Sequence, residues 1–327
     1  MKTHTLASLL FLSASFVQAS DAYFSPDGKT VTYVSPLDQT LLQQVQLETK
    51  KLTTIPLALP KDETVQSLTA GAEGEALLLT EKAAWVHDAK GTRKLCDLGK
   101  ISQASDLAAA PGKHPLLADW LFLAGTHPEE ASRRIFFARK PGEKTFKPTF
   151  CRRTHQVNAG AFSAEGRFFF AAEGDLWEGD FEPEDGEGMM TTLSGVRIAP
   201  LAFLNTDGAN GGSLYVDHLM PVGSSIYVAL RGHHMGQLLR IAMSTQPALN
   251  EKSGANDDLK SHYAFLAKNL ASVQIIEGSG EPIFNSAAIA LPDTERVFYS
   301  HGISNQHLFL WDKATGKTSE VTPAASK

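Results

Sequence analysis

One short pattern constrains this chain more than any other feature: a polar turn followed at once by an unbroken run of aromatic and β-branched residues, met again and again along the sequence. Phe24-Ser25-Pro26-Asp27-Gly28-Lys29 leads into Thr30-Val31-Thr32-Tyr33-Val34. Proline presets φ at the second turn position, Asp-Gly closes the turn, and the residues that follow suit a pleated, buried strand. Phe162-Ser163-Ala164-Glu165-Gly166-Arg167 before Phe168-Phe169-Phe170-Ala171-Ala172 is a second copy. Ala72-Glu73-Gly74-Glu75 before Ala76-Leu77-Leu78-Leu79 is a degraded third, and Leu291-Pro292-Asp293-Thr294-Glu295-Arg296 before Val297-Phe298-Tyr299-Ser300 is the last.

Each copy is followed by a second recurring piece, an apolar strand, a polar turn and another strand. Val45 to Leu52, Trp85 to Thr92 and Leu310 to Lys317 are its clearest examples. A unit therefore supplies four short antiparallel strands. Two less regular units fit between these, one from Leu121 through Arg134 to Ala138 and on to Thr149-Phe150-Cys151 with Pro111-Gly112 as its first turn, the other through Ser213 to Ile241 with a Val222-Gly223 turn. About six units at a spacing of about 40 to 70 residues match the repeat of a β-propeller. The strand runs are continuous rather than alternating, as expected where both faces of a blade pack on neighbours; a pair of stacked sheets, the competing architecture, would alternate more. The expected fold is all-β, a single propeller of about six four-stranded blades over residues 20–325. One stretch breaks the pattern: Leu259, Tyr263, Leu266, Leu270 and Val273 recur at steps of 4, 3, 4 and 3 behind Asn256 and Asp257, which predicts one inserted amphipathic helix over 256–273, packed on the propeller rim.

The net charge of -6 is modest and spread along the 327 residues, so there is no basic field for a phosphate backbone and nucleic acid is not an expected partner. Lys2, the apolar stretch Leu6 to Phe16 and the small residues of Val17-Gln18-Ala19 read as a signal peptide over 1–19, cleaved after Ala19. That places the mature protein in the periplasm or outside the cell, and no later segment approaches the length of a membrane span. Cys96 and Cys151 fall in outer strands of successive blades, beyond the roughly 7 Å limit on Cα separation for a disulfide, so both are expected to be buried free thiols.

Phe24 to Lys29 with its following strand, the Phe162 copy through Gly174-Asp175-Leu176-Trp177, and the Trp311-Asp312 turn with Thr315-Gly316-Lys317 together resemble the repeats of the TolB-type, WD-like (PD40-like) propeller family. The likeness spans most of residues 20–325 and is strongest in the first, last and Phe162 units. It implies an exported propeller that scaffolds protein contacts. Similar blades also cap the active sites of prolyl-oligopeptidase-type hydrolases, but here no hydrolase domain is recognisable after the blades, and the extra N-terminal domain of the Tol-system protein is not recognisable either.

The motifs of familiar chemistry are missing. There is no G-x-S-x-G elbow, no H-E-x-x-H, no phosphate loop and no EF-hand spacing. Ser279 sits in a flexible Gly-Ser-Gly turn, and Asp180, Glu182, Glu184 and Asp185 read as a solvated acidic turn. No catalytic residue, metal site or cofactor is assigned. What remains is convergence: in a propeller, the loops between second and third strands gather on one face around the central channel. Those loops carry Arg231-Gly232-His233-His234-Met235-Gly236, and from other blades Asp38, His127, Glu129, Glu130, Glu173, Asp175, His301, Asn305 and His307. The sequence favours a binding protein or scaffold that engages a protein or extracellular ligand through this face. The alternative is a propeller enzyme, a hydrolase, lyase or metal-dependent oxidoreductase, with His233, His234 and His301 or His307 at the channel mouth.

Overall fold

The computed structural model describes residues 22–71, 74–151, 156–172, 175–183, 191–200, 215–231, 236–242, 273–277, 281–302 and 306–323. Their strands form six sheets that follow one another along the chain. The first blade is β1 (Ala22–Phe24), β2 (Thr30–Val34), β3 (Leu41–Gln46) and β4 (Lys51–Pro56); the second is β5 (Ser67–Ala70), β6 (Ala76–Leu79), β7 (Ala83–Asp88) and β8 (Gly91–Asp97). The third is β9 (Ser102–Ala109), β10 (Leu121–Thr126), β11 (Arg134–Arg139) and β12 (Lys147–Pro148). After β13 (Phe150–Cys151), the fourth is β14 (Val157–Phe162), β15 (Phe168–Ala172), β16 (Asp175–Pro183) and β17 (Thr191–Pro200). The fifth is β18 (Tyr215–Val222), β19 (Ser225–Arg231), β20 (Gly236–Ala242) and β21 (Val273–Glu277), and the sixth is β22 (Ile283–Ala290), β23 (Glu295–His301), β24 (His307–Asp312) and β25 (Lys317–Glu320). Neighbours within a blade are antiparallel, and β13 adds a short parallel strand along β17. The first strands touch in a ring, β1 to β5 to β9 to β14 to β18 to β22 and back to β1, so they line the axis of a six-bladed propeller.

The recurring turn forms as its residues dictate. Asp27 Oδ1 accepts from the Ser25 hydroxyl (2.6 Å) and the Lys29 amide (3.1 Å), while Ser25 Oγ accepts from the Thr30 amide at 3.0 Å. Gly28 takes φ +67°, and a Cβ there would lie 2.8 Å from Leu291 in the matching turn of the last blade. Glycine is thus required both by the turn and by the meeting of first and last blades.

Unbroken apolar runs are explained by the seams between blades. In β11, Phe136 packs toward the fourth blade while Ile135 and Phe137 pack toward the second. In β15, Phe168 and Phe170 face the third blade and Phe169 and Ala171 the fifth. Successive strand residues point to opposite faces, so a strand with a neighbouring blade on each side must be apolar at every position. Six such clusters, one per seam, make up the core, and the one joining Phe24, Val31 and Tyr33 to Phe298 and Leu308 closes the ring. Closure rests on side-chain packing, since each sheet draws its strands from consecutive stretches of chain.

The helix expected over 256–273 lies outside the described residues except for Val273, which opens β21 instead. Asp180 and Glu182 belong to strand β16 rather than to a solvated turn, because the β16–β17 hairpin continues its pairing from Asp180↔Ser194 to Pro183↔Thr191. Cys96 is a buried free thiol in outer strand β8, whereas Cys151 lies in β13, which runs along β17 at the edge of the fourth blade's sheet and is not the outer strand of the third. No helix among the described residues is long and apolar enough to cross a membrane.

Between the fifth and sixth blades one carboxylate acts as a pin. Glu295 keeps 8% of its side chain exposed and accepts from the Tyr227 hydroxyl (2.6 Å), Lys313 Nζ (2.7 Å), and the Ser224 amide and hydroxyl (both 3.1 Å). Burial pushes its carboxyl up, but the donors from Lys313 and Tyr227 outweigh burial and bring it from 4.5 to about 2. A carboxyl lowered on folding stabilises above its unfolded value and ceases to do so as pH falls through its folded one. The contribution is therefore complete above pH 4.5 and lost between there and about pH 2. Glu295→Gln should cost roughly 2 to 4 kcal/mol at neutral pH and flatten the acid limb of the stability curve, measured by urea unfolding at stepped pH. An acid limb that survives the substitution would assign that limb to other carboxyls.

Candidate functional site

Polar chemistry reaches the axis because four of the six innermost strands are bulged. In β9, Asp106 and Leu107 together oppose Leu123; in β14 the irregularity falls at Asn158; in β18 it falls at Asp217; in β22, Phe284 and Asn285 together oppose Ser300. Innermost strands β1 and β5 pair without a register shift. An extra residue breaks the strict alternation of side chains and re-aims its neighbours. Each of these four irregularities carries an Asp or Asn, and Asp106 sits at φ +51°, a left-handed conformation that Asp tolerates better than most residues. Asn285 is fully buried; its amide nitrogen reaches Ser300 Oγ at 3.3 Å and its Oδ1 finds no hydrogen-bond partner.

The bulged strands bring charges together across the axis. His218 Nδ1 of the fifth blade lies 3.6 Å from Asp106 Oδ1 of the third, bridging past the intervening fourth blade. Next to His218, Asp217 holds the Arg231 guanidinium at 2.6 Å, with 8% of the Asp217 side chain and 16% of the Arg231 side chain exposed. Arg134, the first residue of β11, donates to the Gln103 carbonyl at 2.6 Å and also to Ser105 Oγ, both on β9. Burial pulls the Arg134 guanidinium down from its ordinary value, and Asp106 opposes that shift, so the two charges sense each other. Carboxylates, guanidiniums and an imidazole thus meet where the blades converge.

The residues expected on the loop face fare differently from one another. Arg231 and His301 end β19 and β23. Arg231 turns onto Asp217; His301 is buried, with Nδ1 3.1 Å from Glu281 Oε2, its ring against Tyr299 and Phe309, and its Nε2 without a partner. Gly236 approaches the same corner, since a Cβ there would come within 2.8 Å of the Glu281 carbonyl and the Ile283 amide. Asp38 caps its own loop: the Thr40 hydroxyl (2.6 Å) and amide (3.0 Å) donate to its carboxylate and hold it below its usual range. His127 Nδ1 accepts from the Glu129 amide at 3.2 Å, and Glu130 meets Arg133. His307 is exposed and lies 2.9 Å from Glu320 on outer strand β25, which draws that carboxyl down. Asp175 opens β16, and Glu173, His233, His234 and Asn305 lie outside the described residues.

Asp106, Asn158, Asp217 and Asn285 were not singled out from the sequence, yet a signal exists. Asp217 and Asn285 interrupt apolar stretches, in Tyr215-Val216-Asp217-His218-Leu219 and Ile283-Phe284-Asn285-Ser286-Ala287, and Asp106 and Asn158 stand directly before small or apolar residues, in Asp106-Leu107-Ala108 and Asn158-Ala159-Gly160. A polar interruption at equivalent places in four units marks a bulge rather than a broken strand.

Compared by sequence, the chain matches no family model and no curated protein. By structure it resembles a calcium-binding protein, regucalcin, from Agrobacterium tumefaciens, at 14% identity over 87% of this chain and 82% of that one, with TM-score 0.53. It also resembles a putative gluconolactonase (11% identity, 94% and 91% covered, TM-score 0.54) and a gluconolactonase from Xanthomonas campestris (12%, 90% and 86%, TM-score 0.53). At such identity these likenesses show the propeller fold alone. Among the described residues no three His, Cys, Asp or Glu side chains are arranged to hold a metal ion, and the Asp106 and Asp217 carboxylates face His218 and Arg231.

Asp106 combines a buried charge with left-handed backbone. Asp106→Leu should cost about 3 to 5 kcal/mol by leaving His218 and Arg134 uncompensated and straining φ, whereas Asp106→Asn should cost about 1 to 2 kcal/mol, both read from urea midpoints. Equal losses in the two variants would remove the backbone contribution.

Proposed function

We propose that this chain is a propeller enzyme of the hydrolase or lyase class, acting on a small polar substrate in the axial channel. One observation carries this reading: Asp106 and His218, brought from non-adjacent blades, meet on the axis with carboxylate oxygen and ring Nδ1 3.6 Å apart and the Asp106 side chain largely buried. Burying charge away from water costs stability and is seldom favourable against well-packed apolar residues, whereas sites of acid–base chemistry retain such groups. In this reading His218 takes or gives the proton, and Asp106, 3.6 Å from its Nδ1, is the positioning residue whose negative charge favours the imidazolium that forms. Arg134 and Arg231 supply fixed positive charge beside any oxyanion that develops. Two solved structures of similar fold are named as gluconolactonases, one of them putatively, which suits hydrolysis of a cyclic ester as the first reaction to try.

The loop face, with Asp38, His127 and Glu129 tied into their own loops, supports a binding scaffold less directly. Membership of the TolB-type repeat family rests on residues 24–29, 162–177 and 311–317 alone. Export remains part of the proposal: β1 opens at Ala22, just past the expected cleavage after Ala19, so removal of residues 1–19 leaves the first innermost strand whole.

Assayed against a panel of lactones and simple esters, the purified protein should turn over at least one, and His218→Ala should lower kcat about 100-fold or more at a temperature well below its own unfolding midpoint. Absence of turnover across the panel, with recovery of a specific protein or extracellular ligand by affinity capture, would establish the scaffold reading instead. N-terminal sequencing of protein recovered from a periplasmic or culture fraction should begin at Ser20; an intact Met1 in that fraction would remove the export proposal.

A further inference from the structure

A solved structure of this fold is that of a protein named as calcium-binding, yet the axis of this chain is arranged against such an ion. Calcium takes about six to eight oxygen ligands, with carboxylates prominent among them. Here the bulge at Asp217 turns its carboxylate along the blade to the end of β19, where Arg231 meets it at 2.6 Å. Across the axis, Asp106 faces His218, with Arg134 close by on β11. An ion entering this space would have to detach a guanidinium that is largely buried, and a buried cation stripped of its counter-charge is strongly unfavourable. A guanidinium stays charged at any pH the fold survives, so the neutralisation is permanent.

We propose that Arg231 is a resident cation of the channel, occupying the electrostatic role of a divalent ion by neutralising Asp217, so that the site is complete without calcium. The inference rests on the channel being the functional site but not on the reaction assigned to it. Removing the guanidinium should convert the site: with Arg231 gone, the Asp217 carboxylate loses the counter-charge that meets it at 2.6 Å and gains affinity for an added cation.

The test is calcium itself. For the full-length protein, about 1 mM calcium or an excess of chelator should leave the unfolding midpoint unchanged, and calorimetric titration should show no stoichiometric uptake. Arg231→Ala should unfold several degrees earlier in chelator and recover part of that loss in calcium but not in sodium chloride of equal ionic strength. Arg231→Gln, which keeps more of the side-chain volume, serves if the alanine variant does not fold, and Arg231→Lys should stay insensitive because it retains the charge. Stoichiometric calcium binding by the unaltered protein would overturn the proposal, as would folded Arg231→Ala and Arg231→Gln proteins that are neither destabilised nor responsive to calcium. Either result is independent of turnover, so failure of the enzyme reading and failure of this one are read from different measurements.

Discussion

Everything in this molecule depends on each blade having a neighbour on both faces. That requirement makes central strands such as β6 and β15 apolar at every position, fills each seam with residues such as Phe136, Phe168 and Tyr299, and leaves few places where charge can be kept. A fully buried aromatic or branched side chain contributes roughly 1.5 to 3 kcal/mol. The seams therefore supply the stability against which every polar exception must be set. Those exceptions are confined to strand ends, to pins such as Glu295, and to the axis, where blades taper toward one another.

At the axis the fold departs from regularity in a patterned way. The third to sixth blades bulge their innermost strands and place Asp106, Asn158, Asp217 and Asn285 at the irregular positions, while the first and second keep short, regular inner strands. Among the described residues, the charged side chains on the innermost strands therefore come from one arc of the ring, since β1 and β5 carry none. The charges on the polar arc largely balance: two carboxylates stand against two guanidiniums and one imidazole. Such a balance keeps the burial of charge tolerable while preserving strong local fields.

Much of the architecture is legible from residues alone because turn chemistry is local. Ser25 to Lys29 form the turn their identities demand, and the run Phe168 to Ala172 declares a strand packed on both faces without reference to anything distant. The axial site is legible only in part. A bulge is a relation between two strands, so the extra residue at Asp217 is invisible until Val216 and His218 are seen to pair with consecutive partners Leu230 and Ala229. The same holds for His307, whose sequence position suggests the channel mouth but whose pairing across β24 and β25 gives it to Glu320. Arg231 was within reach of sequence reasoning as a residue; its partner was not, since the contact depends on that same bulge.

The ring is closed between its first and last blades by packed side chains, with Gly28 against Leu291 and Tyr33 against Phe298, rather than by a strand lent from one end to the other. Covalently, then, the sixth seam differs from the other five: they are crossed by a short connection, and it is not. During synthesis the inner face of the opening blade must wait, uncovered, until the closing blade has emerged from the ribosome. Once closed, that seam is the natural place for the ring to part under load, and it is also the one junction that a circularly permuted chain could join covalently while leaving every blade intact.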